Sequence, residues 1–156
     1  MGVSGAGKST IGALLAQDLG WPFYDGDDFH PPANVTKMRE GIALTDDDRE
    51  AWLAALQQLI DRLLHDHQSA IIACSALKHA YRERLQGAES AVQFVYLKGS
   101  YELIRDRLRN RQGHFMSADL LKSQFETLEK PENVLAVDIA QEPARIIQLI
   151  KASCGL

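Results

Sequence analysis

Within the opening MGVSGAGKST, Gly2, Gly7, Lys8 and Ser9 fit the spacing Gly-x4-Gly-Lys-Ser/Thr. Residues of these types at this spacing bind phosphate. The glycines let successive backbone N–H groups turn toward a β-phosphate, and the helix that follows adds its positive N-terminal end. On this reading Gly2, Val3, Ser4, Gly5, Ala6, Gly7, Lys8, Ser9 and Thr10 form a nucleotide loop. Lys8 reaches the β- and γ-phosphates of ATP, and Ser9 ligates Mg²⁺. The competing reading is a glycine-rich turn with no ligand.

A second group follows in DGDDFHPPAN, where Asp25 and Asp27 bracket Gly26, with His30 close behind. Two carboxylates at a strand end suit two tasks: one holds Mg²⁺ through water, and the other accepts the proton of an attacking hydroxyl. The alternative is an Asx-type turn with solvated acids. Arg49, near a helix start, can clamp a carboxylate bidentately. In RDRLRNRQGHF, Arg107 and Arg111 share one helix face while Arg105 and Arg109 share another. One pair can close over ATP as the other stays solvated. His114 is a candidate lid contact, and Lys78, ending CSALK, is expected to face the same crevice.

The elements that must position these groups are legible as periodicity. Ile11, Leu14, Leu15 and Leu19 keep one face of a helix from Lys8 to Leu19, which Gly20 caps. Trp21 to Tyr24 reads as a short strand, and a short helix runs to Glu40. Thr45 and Asp48 form a capping box, with Asp46 and Asp47 beside them at the helix start, and the helix they open runs to His65. Ser69 to Ser75, Val92 to Leu97 and Val134 to Ile139 are short, nearly continuous apolar runs, read as buried strands. Helical segments lie between and after them at 77–85, 101–110, 118–128 and 143–153. This alternation predicts an α/β fold with a parallel sheet covered on both faces.

The 156 residues suit one domain, and 46% apolar residues suffice for a core. A net charge of −4 gives no general attraction to nucleic acid or anionic lipid, so phosphate must be held locally. The longest uncharged run, near Ser69 to Leu77, is far shorter than the roughly 18 residues of a membrane span. No signal-peptide pattern stands at Met1, and a cytoplasmic protein is expected. Cys74 and Cys154 lie in unlike settings and suggest two reduced thiols.

The blocks GVSGAGKS, DGDDFHPPANVTKMREGIALTDDDREAWL, CSALK, YLKG and RLRNRQGHF followed by LLKSQFETLE occur in the order found in gluconokinases of the thermoresistant type. The chain resembles that family from Gly2 to about Ile139, and the second block is the specific part. The resemblance implies a single P-loop kinase domain over residues 1–156 with a lid at about 111–125. It implies transfer of the ATP γ-phosphate to the C6 hydroxyl of D-gluconate, with Asp27 as base and Asp25 as indirect magnesium ligand. Arg107 and Arg111 match lid arginines, and His30, Arg49, Lys78 and His114 are assigned to the gluconate side. Dimers are common in the family. The implied strand order is 2-3-1-4-5, with a central apolar strand of about half a dozen residues before the loop. None stands before Gly2, so the expectation is a chain whose first strand is missing and whose native start lies upstream of Met1 or is misassigned. Two other readings stay open: a kinase for shikimate, a nucleoside monophosphate or another sugar acid, and a catalytically silent nucleotide-binding protein.

Overall fold

A computed structural model describes residues 1–87, 91–110 and 118–156. Its helices are α1 (Lys8–Leu19), α2 (Pro32–Arg39), α3 (Asp46–His65), α4 (His79–Gln86), α5 (Tyr101–Arg109), α6 (Ala118–Thr127) and α7 (Pro143–Cys154). The strands are β1 (Phe23–Asp25), β2 (Ile71–Ala73), β3 (Val95–Lys98) and β4 (Leu135–Asp138). Each lies within or at the edge of an apolar run expected from sequence. The Thr45–Asp48 capping box forms in full. Gly20 adopts the left-handed conformation that ends α1.

The strands pair in parallel as β1 with β2 and β3 with β4, in the registers Phe23 to Ile71 and Val95 to Leu135. Parallel strands need crossovers: helices α2 and α3 lie between β1 and β2, and helices α5 and α6 between β3 and β4. Between the two pairs run Met1 and Gly2. Gly2 N donates to Ser75 O at 3.1 Å, Leu97 N donates to Met1 O at 3.0 Å, and Met1 N donates to Val95 O. The order implied by the resemblance places a central strand at this position; among the described residues it is held by Met1 and Gly2 alone, which carry no strand assignment. Beside them lies an apolar cavity of about 600 Å³, lined from one side by Ile11 and Leu15 and from the other by Leu56 and Ile60.

Two apolar layers flank the strands. Ile11, Leu15, Ile146 and Ile150 of α1 and α7 join Leu97, Val137 and Ile104 in one cluster. Trp52, Leu53, Leu56 and Ile60 of α3 pack with Tyr81 and Leu85 of α4 in the other. Trp52 also fixes the strand-end loop, because its buried indole Nε1 donates to Gly26 O at 2.7 Å. A Cβ on Gly26 would stand 2.6 Å from Ala73 O, so only glycine lets the end of β1 approach β2 this closely.

Trp52→Phe keeps an aromatic ring but leaves the Gly26 carbonyl without its donor. A stability loss of about 1–3 kcal/mol is expected, read as a lower urea midpoint at unchanged slope.

Candidate active site

The loop Gly2–Gly7 turns back on itself before α1. Gly5 (φ 80°) and Gly7 (φ 90°) take conformations that disfavour other residues. A side chain at Gly5 would also strike Leu108 of α5 at 2.9 Å. Lys8 Nζ donates to Val3 O at 3.0 Å, folding the lysine across the loop. Burial lowers its pKa, opposed in part by the negative charge of Asp27. Ser9 Oγ donates to Asp25 Oδ2 at 2.5 Å, while Asp25 Oδ1 accepts from Asp27 N at 3.1 Å. The Asx-type turn and the proposed metal-side role are therefore compatible, since each uses a different oxygen of Asp25.

A small cavity of about 90 Å³ collects Ser4, Lys8, Asp27, His30 and Arg49, with Trp52 in its wall. His30 stacks on Trp52 with ring centroids 4.7 Å apart and planes at 8°. Asn34, which is buried, donates from Nδ2 to Asp48 O at 2.6 Å and faces His30 Nδ1 at 3.4 Å. An amide NH₂ only donates, so Nδ1 is the acceptor and the neutral ring carries its proton on Nε2. Burial lowers the His30 pKa, Asp27 opposes that effect, and Arg49 adds to it.

Arg49 is largely buried, 3.7 Å from Asp46 in an ion pair and 5.9 Å from the Tyr81 ring centroid. Asp46, expected as a capping residue, does more than that: it accepts from Lys78 Nζ at 2.6 and 2.8 Å and from the Tyr81 hydroxyl. These contacts hold the Asp46 carboxyl below its ordinary pKa, Lys78 most strongly. They also occupy Lys78, which does not line the cavity. Arg107 likewise stands apart from it, donating from Nη2 to Ile139 O at 2.7 Å. Arg111 and His114 lie outside the described residues.

The structure brings to the site residues that the sequence places only in the expected lid segment or its family block. Leu120, Ser123, Gln124 and Thr127 of α6 line the same cavity, and Gln124 Oε1 accepts from Ser4 N at 2.6 Å. The available signal was a polar stripe at 123, 124 and 127, separate from the apolar positions Leu121, Phe125 and Leu128 that pack on the core. Among the described residues no group of three or more His, Cys, Asp or Glu is placed to hold a metal. Ser9 with Asp25 nevertheless fits Mg²⁺, a hard cation that takes one or two protein oxygens and completes its shell with phosphate and water.

The geometry is that of a phosphate-loop motif beside a small polar cavity, and comparison with known proteins gives its family. A family model described as shikimate kinase matches residues 4–142. A gluconokinase of Gluconobacter oxydans is 45% identical over 151 residues, covering 95% of this chain and 85% of that relative. The chain belongs to the gluconokinase family. The thermoresistant gluconokinase of Escherichia coli K12 is 43% identical over 145 residues, covering 90% of this chain and 83% of its own. A crystal structure of a gluconokinase from Sinorhizobium meliloti 1021 superposes with a TM-score of 0.90 at 45% identity, covering 99% of this chain and 89% of that one. Membership of the gluconokinase family agrees with the P-loop kinase fold.

Because His30 is held neutral against Trp52, its folded-state pKa lies below the ordinary 6.5. The unfolded chain then binds the extra proton more readily, so stability is full above about 6.5 and falls as pH drops toward the folded value. His30→Gln is expected to flatten urea midpoints between pH 7 and 5 relative to the parent. Asp48, whose pKa is lowered to about 2 by the Lys37 contact, acts in a separate window: its contribution is present above 3.8 and is lost as pH falls toward 2.

Proposed function

We propose that the chain phosphorylates D-gluconate on its C6 hydroxyl, using ATP and giving 6-phosphogluconate and ADP. The observation that carries this is the convergence of Lys8 from the phosphate loop with Asp27, His30 and Arg49 on one cavity. The family membership supplies the acceptor. In this reading Asp27 takes the proton of the C6 hydroxyl as its oxygen bonds to the γ-phosphorus and the bond to the β–γ bridging oxygen breaks. Lys8 offsets charge on the phosphoryl oxygens, and Arg49 binds the gluconate carboxylate. His30, with Nε2 protonated, donates to an acceptor hydroxyl. Ser9, and Asp25 indirectly, would hold Mg²⁺, which would supply neutralising charge for the β- and γ-phosphates. Arg111 is assigned to the phosphates and His114 to the acceptor, and Arg107 joins Arg111 only if it leaves Ile139 O. Lys78 serves the acceptor side through Asp46, which it shares with Arg49. The setting is the cytoplasm, where ATP is available and the two free cysteines stay reduced.

Acceptor-dependent ADP release should be seen with D-gluconate and not with shikimate or AMP; release with either of the latter alone would replace the acceptor. Asp27→Asn should lower kcat about 10²- to 10⁴-fold while nucleotide affinity stays near that of the parent. Unchanged turnover would remove Asp27 from the role of base.

A further inference from the structure

The contact between Gln124 and Ser4 joins two parts of the molecule that the sequence separates by 120 positions. Ser4 presents a backbone N–H, which can only donate. The atom of the Gln124 carboxamide that faces it at 2.6 Å must therefore be the oxygen. With the oxygen turned to the loop, the carboxamide still offers the two donors of its NH₂. Gln124 also lines the cavity shared by Lys8, Asp27 and Arg49. A donor between the phosphate loop and an acceptor cavity suits a hydroxyl oxygen of a polyol.

The helix that carries Gln124 is firmly seated. Leu121 is buried in the core, and Phe125 meets Tyr101 edge-on at 5.4 Å. Just beyond the helix, Glu129 N donates to Leu77 O at 3.0 Å and the Glu129 carboxylate accepts from His79 N at 2.5 Å. The carboxamide is thus presented from a fixed base, as accurate recognition requires.

We propose that Gln124 is a specificity-determining residue. Its oxygen holds the phosphate loop at Ser4, and its NH₂ donates to one hydroxyl of the sugar-acid acceptor. The acceptor is thereby read against the loop that delivers the phosphoryl group. The second half of this assignment rests on the reading of the site as a gluconate kinase site.

The test uses the full chain with two variants. Gln124→Met is close in shape and has neither polar group, whereas Gln124→Glu keeps an oxygen for Ser4 and loses the donors. Both should raise the KM for gluconate about ten-fold, with a smaller change in kcat and a melting temperature near the parent's. Gluconate analogues each lacking one hydroxyl then locate the contact. One of them should be penalised about ten-fold in the parent and not penalised further in Gln124→Met, a coupling that a merely structural role would not produce. Nucleotide affinity, measured without acceptor, should fall in Gln124→Met.

Parent turnover with unchanged gluconate KM in both variants, or penalties that simply multiply for every analogue, overturns the acceptor contact. Unchanged nucleotide affinity in Gln124→Met overturns the hold on the loop. A parent chain that does not turn over gluconate overturns the functional reading and with it the acceptor contact, while the nucleotide measurement still decides the loop contact.

Discussion

The backbone of Met1 and Gly2 is the constraint on which the rest of the site depends. Parallel pairs β1–β2 and β3–β4 present their inner edges to each other, and Gly2 N to Ser75 O and Leu97 N to Met1 O tie one pair to the other. The phosphate loop leaves directly from this seam, so its position at the carboxyl ends of the strands is set by backbone hydrogen bonds rather than by its own side chains. Gly2 is suited to the place: its φ is 138°, and a Cβ there would stand 2.9 Å from Leu97 O. From the same ends of the strands come Asp25 and the loop of Lys78, which follows the general rule that open α/β sheets bind ligands beyond the carboxyl edges of their strands.

Lys8 and Arg49, the cations that line the cavity among the described residues, each have a carboxylate nearby. Burial alone works against the charged form of Lys8, and Asp27 and Asp25 oppose it. Arg49 shares Asp46 with Lys78, while the Tyr81 hydroxyl donates to the same carboxylate. Such an arrangement keeps these positive groups from being left uncompensated, which would be costly in a low-dielectric interior. His30, by contrast, is kept neutral by burial against Trp52 and keeps its place by stacking and by Asn34. The neutral ring can act as a hydrogen-bond donor without adding charge beside Arg49.

Much of this was readable from the residues in order. The phosphate loop, the helix over Lys8–Leu19, the Thr45–Asp48 box and the approximate strands all depend on neighbours within a few positions, where periodicity, capping and glycine conformations act directly. Strand ends moved by one to three residues, because pairing with a partner strand, which local sequence does not contain, fixes where a ladder stops. The apolar run Ser69–Ser75, for instance, pairs only over Ile71–Ala73, the length that β1 can match.

By itself, then, the sequence determined the order of elements, the phosphate-loop motif that holds Lys8 and Ser9, the placing of Asp25 and Asp27 at a strand end, and the resemblance to the family. Tertiary structure alone decided which distant groups meet. Lys78 is drawn to Asp46 across 32 positions, Arg107 to the Ile139 carbonyl across 32, Trp52 to Gly26 across 26, and Gln124 to Ser4 across 120. The physical reason is that these contacts follow from how helices seat on the sheet. That seating is fixed by the summed burial of many apolar side chains, and no single residue's type or spacing encodes it.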